Sequence, residues 1–343
     1  MKVSAAPILV KPKFSHSEGS KIYSGLREKV TAAGILGRSY YYYLFSTLVT
    51  ILGTAVSVHG ALVSSSILEV ALWSIAFVFF SIQLAGFFHD AGHRAVFKST
   101  FFNDLFGGFI AALANISYSY WKFKHNKHHA SPNEVDEDPD IEIPFISFTH
   151  RKKMANPLEE RLKPYQAYLY FPLGVFALVY FKFRSLVFFK GNRGTYLLLE
   201  IPIYLIGGVI WYIVPFFLVP LPHALVFLAL SNLGVGFYLM NIFAPNHKGM
   251  PQIEKGAEFS FLEQQIITAR NVKSNPLLDI LYIGLNYQIE HHLFPNCPRN
   301  KLKLITPYVL EICKKYNLEY SEVSLVETNL IILGELNEVA SSS

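Results

Sequence analysis

Eight of the twelve histidines in the chain fall into four short clusters, and imidazole nitrogen is a common ligand for iron, copper and zinc. His89 and His93 stand four residues apart in His-Asp-Ala-Gly-His, and His125, His128 and His129 follow in His-Asn-Lys-His-His at offsets of three and four. His291 and His292 close Gln288-Ile-Glu-His-His, and His247 follows Ala-Pro-Asn. On a helix such offsets gather side chains on one face, so each cluster reads as a clamp. Together they supply more donors than one tetrahedral zinc can use, which points to a two-metal centre with open coordination positions. Oxygen chemistry at paired iron is the leading reading. Any one pair alone would suit a solvated helix face equally well; joint occurrence carries the argument. His16, His59, His150 and His223 lack partners and receive no role. A metal-bound imidazole normally donates its second N–H to a carboxylate or carbonyl, and Asp90, Asp138, Asp140 and Glu290 are the local candidates. The acidic run 134–142 suits a solvated loop equally.

These clusters need elements to hold them, and the composition says of what kind. Of 343 residues 52% are hydrophobic, 15% aromatic and only 16% charged, too apolar for an ordinary soluble domain. A bilayer core of about 30 Å takes roughly 20 helical residues. Stretches 40–58, 67–88, 196–219 and 223–243 reach that length and are the expected transmembrane helices. Connectors 60–66 and 220–222 carry no charge, whereas 122–163 and 248–343 hold most of the Lys and Arg. By the positive-inside rule the two long segments are cytoplasmic, which sets His89 and His247 at the inner ends of the second and fourth spans. Segment 101–120 is interrupted by Gly107 and Gly108, and segment 165–189 is interrupted by Pro172 and carries Lys182 and Arg184. Both read as interfacial, since a single crossing by the latter would separate His125 from His247.

Residues 1–38 are basic without a signal-peptide pattern and read as a cytoplasmic tail; 39–326 form one domain, and 327–343 a weakly structured end. With only Cys297 and Cys313, no disulfide framework or thiolate zinc site can be built, which fits a reducing compartment. The net charge is +5 without a long basic block, so no nucleic-acid partner is expected.

His-Asp-Ala-Gly-His, Trp121 with His-Asn-Lys-His-His-Ala-Ser-Pro-Asn, Asp138-Pro-Asp140, Asn246-His247 and Asn286-Tyr-Gln-Ile-Glu-His-His-Leu-Phe-Pro295 resemble the membrane fatty acid desaturase family, in its acyl-lipid and front-end branch, whose last box begins with Gln. The resemblance implies an all-α integral membrane protein, with four transmembrane helices under a cytosolic helical cap that holds a di-iron site. It also implies His89, His93, His125, His128, His129, His247, His291 and His292 as ligands of two non-haem iron ions. In the acyl-CoA branch the last box starts with His, and an Asn four residues before the isolated His supports a metal-bound water. Those positions are Gln288 and Phe243 here, and whether Gln288 ligates or only hydrogen-bonds stays open. Many front-end members carry a fused haem domain marked by His-Pro-Gly-Gly. That motif is absent, so a separate electron donor such as a ferredoxin or a cytochrome is expected, docking on the basic face.

The function expected is desaturation of a fatty acyl chain, linked to CoA, a carrier or a lipid, with dioxygen and two electrons. The site would face the cytoplasm from the plasma or inner membrane of a bacterium, or from the endoplasmic reticulum of a eukaryote. Hydroxylation at the same kind of centre is the alternative, separable by product mass. A metal or proton transporter is the rival from another class, but the clusters sit at helix ends and leave the helix centres without a polar relay. Phe87, Phe88, Tyr118 and Trp121 would line a substrate channel or simply pack.

Overall fold

The structure, a computed structural model, describes residues 11–149, 156–192, 194 and 197–341; His150 and Tyr196, with the outermost residues of both expected tails, lie outside them. Along the chain run α1 (His16–Ala32), α2 (Tyr40–Val63), α3 (Ile67–Gly92), α4 (Thr100–Leu113), α5 (Tyr118–Ala130), β1 (Glu142–Ile143), β2 (Ile146–Ser147), α6 (Pro157–Leu162), α7 (Gln166–Gly174) and α8 (Ala177–Gly191). There follow α9 (Leu197–Tyr212), α10 (Pro215–Leu218), α11 (Leu221–His247), α12 (Phe261–Ile267), β3 (Asn271–Val272), α13 (Pro276–Leu281), α14 (Gln288–Leu293), α15 (Thr306–Tyr316), β4 (Glu322–Val323) and α16 (Leu325–Ser341). They divide into two compact units: a spanning unit of residues 38–123 and 173–240, and a polar unit of residues 1–37, 124–172 and 241–343.

The four expected spans are helices long and apolar enough to cross a bilayer: Tyr40–Val63, Ile67–Gly92, Leu197–Leu218 and Leu221–His247. α3 starts at a capping box, Ser66 accepting from the amide of Glu69 while the Glu69 carboxylate accepts from the Ser66 amide. Leu44, Leu52, Leu68 and Leu199 are each more than 60% exposed, which suits a lipid solvent and not water. Segment 165–189, expected as an interfacial helix, is two helices and not one. Pro172 lacks an amide donor, and α7 and α8 part at Val175 and Phe176. Gly236 of α11 faces the Val175 carbonyl so closely that a Cβ there would collide with it.

In the polar unit Leu26 and Val30 of α1 pack with Leu262 and Ile266 of α12, Ile289 and Leu293 of α14, and Val309 and Ile312 of α15. The strands are minimal. β1 pairs with β2 antiparallel, Glu142 opposite Ser147, and β3 with β4 in parallel, Asn271 opposite Glu322. Two expectations are corrected here. The supposed N-terminal tail contains α1, 17 residues long and opened by a capping box of Ser15 and Glu18, and its apolar side joins this core. The supposed weak C-terminal end is α16, which buries Ile332, Leu336 and Val339. Complete burial of such side chains contributes about 1.5–3 kcal/mol each, enough to hold a segment whose other residues are polar.

Candidate metal centre

Both His-His pairs divide by helix geometry. Consecutive residues on a helix point about 100° apart, so the partners of an adjacent pair face different directions. On α5, His125 and His129 share a face while His128 turns from it, and on α14 His291 and His292 diverge likewise. The polar unit accordingly holds two imidazole sets.

In the first, His128, His247 and His292 come from three different helices, all buried, with ligand nitrogens within 4.8 Å of one another. Each ring is fixed from behind. His128 Nδ1 lies 2.9 Å from Asp138 Oδ2, His247 Nδ1 donates to the Thr268 carbonyl at 3.0 Å, and His292 Nδ1 donates to Gln265 Oε1 at 2.7 Å. An acceptor opposite Nδ1 keeps the proton there and leaves the Nε2 lone pair for a cation. In the second set, His129 Nε2 lies 3.1 Å from His125 Nε2 and 3.2 Å from His291 Nε2. Imidazole nitrogens this close together are of a kind that can ligate one cation.

The backbone under these rings is held by groups without histidine spacing. Arg270, buried, donates to the carbonyls of Pro245 (2.7 Å) and Lys248 (2.7 Å), satisfying the orphan acceptors at the end of α11 and so fixing His247. Asn133, at φ 55°, donates its amide to Asp138 Oδ2 at 2.8 Å and its side chain to the His247 carbonyl at 3.0 Å. Burial works against charge on His128, but Asp138 and Asp140 outweigh it and hold that ring above the ordinary histidine pKa. Asp138 is held below the ordinary carboxylate range: burial alone would raise it, and His128 reverses the sign.

The other expected helpers are placed unequally. Asp140 pairs with Lys124 and stands 3.6 Å from His128 Nδ1, further than Asp138. Glu290, expected beside an imidazole, instead gives its two oxygens to Tyr320 OH (2.8 Å) and Asn271 Nδ2 (2.7 Å). Gln288 sits with its Nε2 2.9 Å from His247 Nε2.

In the spanning unit, His89 and His93 lie at the end of α3 with ring centroids 4.8 Å apart. His89 Nδ1 is 3.1 Å from Asp90 Oδ1, and Tyr43 OH donates to Asp90 Oδ2 at 2.8 Å. Trp121 packs against both rings and over Gly92, where a Cβ would run into the indole. The glycine in His-Asp-Ala-Gly-His thus lets the first turn of α5 close on α3. Phe87, Phe88, Tyr118 and Trp121 belong to one buried aromatic cluster.

Gln265, Thr268, Arg270 and Tyr43 carry no signal in the sequence, and Asn133 shows there only as the last residue of the motif that begins at His125. None has the offset of a histidine box, and Thr268 acts through a carbonyl that every residue possesses.

A family model described as fatty acid desaturase matches residues 65–324. The acyl-lipid (9-3)-desaturase of Borago officinalis is 30% identical, the match covering 95% of this chain and 76% of that protein. That of Physcomitrium patens is 32% identical over 89% of this chain and 60% of its own length. The Delta(6)-fatty-acid desaturase fat-3 of Caenorhabditis elegans is 30% identical over 87% of this chain and 70% of its own. With the family match running through all four histidine clusters and the four apolar helices in place, the chain belongs to the fatty acid desaturase family and is an integral membrane oxidoreductase.

Proposed function

We propose that the chain inserts a carbon–carbon double bond into a fatty acyl chain with dioxygen and two electrons, at a pair of non-haem irons ligated by its eight clustered histidines. Desaturase function itself follows from the family, and the relatives' names do not favour hydroxylation. The observation that carries the centre is the set His128, His247 and His292, in which every ring has its Nδ1 proton committed to an acceptor and its Nε2 turned inward. His89, His93, His125, His129 and His291 are the ligands left for the second ion.

Iron bound there supplies the oxidant that an unactivated methylene pair demands and no side chain can provide. The chain supplies the rest. Asp138, Thr268 and Gln265 keep three imidazoles in one tautomer, and burial of the rings keeps bulk water from them. The site faces the cytoplasm, electrons arrive from a separate ferredoxin or cytochrome, and the acyl chain is linked to CoA, a carrier or a lipid. The borage and moss relatives are named for acyl-lipid substrates, which favours the lipid-linked form.

The test is expression of the full chain in a host of known lipid composition, with double bonds located chemically in the extracted lipids. A product lighter by two hydrogens is expected. A product heavier by one oxygen, or unchanged lipids beside a purified protein that holds no iron, would overturn the reading.

A further inference from the structure

The residue opening the last box, Gln288, has an amide whose orientation the surrounding hydrogen bonds decide. Asn246 Nδ2 lies 3.0 Å from the Ile242 carbonyl, 3.0 Å from the Leu285 carbonyl and 3.1 Å from Gln288 Oε1. Backbone carbonyls only accept, so the Asn246 atom facing two of them is the NH2 group. It holds that orientation although Asn246 Oδ1, among the described residues, finds no partner. The Gln288 atom facing this donor must therefore be the oxygen, since a turned amide would set two NH2 groups against each other. The Gln288 NH2 group is left 2.9 Å from His247 Nε2, whose partner nitrogen has already given its proton to Thr268.

An amide nitrogen has no lone pair to offer a cation, and an NH2 group beside one is unfavourable unless an anion or a polar oxygen ligand lies between them. We infer that Gln288 is a hydrogen-bond donor to a small anionic or oxygen-bearing ligand sharing the ion with His128, His247 and His292, and not itself an iron ligand; Asn246 is the positioning residue that keeps its donor turned inward. This rests on the proposed centre, and it assigns to Gln288 a role opposite to that of a ligating histidine at the same place.

Azide serves as the probe, titrated by absorption into iron-loaded, detergent-purified full-length protein. Wild type is compared with Gln288→Ala and with Gln288→Glu, which keeps the shape of the side chain but carries no donor. Both variants are expected to keep the wild-type iron content and to bind azide about ten- to a hundredfold more weakly, the loss of one hydrogen bond to a charged ligand. Asn246→Ala, which frees the amide to turn, is expected to weaken azide by a smaller factor at unchanged iron content. Loss of iron from Gln288→Ala, or wild-type azide affinity in Gln288→Glu, overturns the inference while leaving the centre standing. A wild-type protein that takes up no iron removes the centre itself, and the inference with it.

Discussion

Asp138 and Glu290 both flank histidine boxes, both are buried in the polar unit, and they do different work. Asp138 lies ten residues beyond His128 yet bonds to its Nδ1, and it also accepts the backbone amides of Asn133 and Asp140. Glu290 is adjacent to His291 but is claimed by Asn271 and Tyr320, which tie α14 to β3 and to the segment before β4. Their charges follow. His128 keeps Asp138 ionised against its burial, whereas burial raises Glu290 above the ordinary range in spite of hydrogen bonds from donors that include Asn271 and Tyr320. Which carboxylate serves a proposed metal ligand thus follows from competing donors and not from closeness in sequence, and adjacency helps where a rival leaves one oxygen free, as at Asp90, whose Oδ2 takes Tyr43 OH and whose Oδ1 faces His89.

The contrast breaks first at the proposed ligands. His128→Ala is expected to abolish product formation and deplete iron while the protein still inserts into membranes; product retained at wild-type level would remove the set. Asp138→Asn comes next, since loss of the carboxylate behind a metal-bound imidazole lowers metal affinity or activity by about 10–100-fold. Iron retention against a chelator and product yield measure this, with the expectation that Glu290→Gln alters neither by more than a few-fold.

A third buried carboxylate sharpens the comparison on stability. Glu335 of α16 has one oxygen, Oε2, with no hydrogen-bond partner among the described residues, and burial pushes its pKa from 4.5 up to about 7 in spite of Lys248. Below 4.5 the group is protonated in both folded and unfolded chains and carries no penalty. As pH rises from there to about 7 the unfolded chain ionises first, so the stability present at low pH is lost, on the order of 3 kcal/mol in all. Glu335→Gln does not titrate, so the excess of its melting temperature over that of wild type is expected to widen from pH 5 to pH 8. A constant difference would place Glu335 with Asp138, ionised throughout.

The histidine boxes were legible because their offsets match the helical period, and the spans because uninterrupted apolar length is a sufficient sign of them. Span ends were less so: α2 runs on to Val63 past Ser57, His59 and Gly60, and α11 passes through Pro245 to His247. α1 and α16 were hidden because a few apolar residues at helical spacing among charged ones resemble a solvated tail until a partner surface is known. The groups behind the rings could not be read at all. Gln265 precedes His292 by 27 positions, and no periodicity links them. Gln288 was legible as a departure from the histidine pattern, but its amide orientation depends on Asn246, 42 residues away.

The smallest effect tests whether the Glu290 network is purely structural. Tyr320 OH donates to Glu290 Oε1 at 2.8 Å and accepts from Asn271 Nδ2 at 2.6 Å, while Asn271 keeps its own bond to Glu290 Oε2. Tyr320→Phe removes one donor and leaves the ring in place, so a destabilisation of about 0.5–1.5 kcal/mol is expected, read as a lower midpoint in thermal unfolding. If Glu290 only ties α14 to its neighbours, the second donor is enough to hold the helix, and His291 and His292 stay where they are. Iron content and product yield then match wild type. A variant that unfolds as wild type does but loses iron would show instead that the network steers the imidazoles, and the distinction between Asp138 and Glu290 would fall.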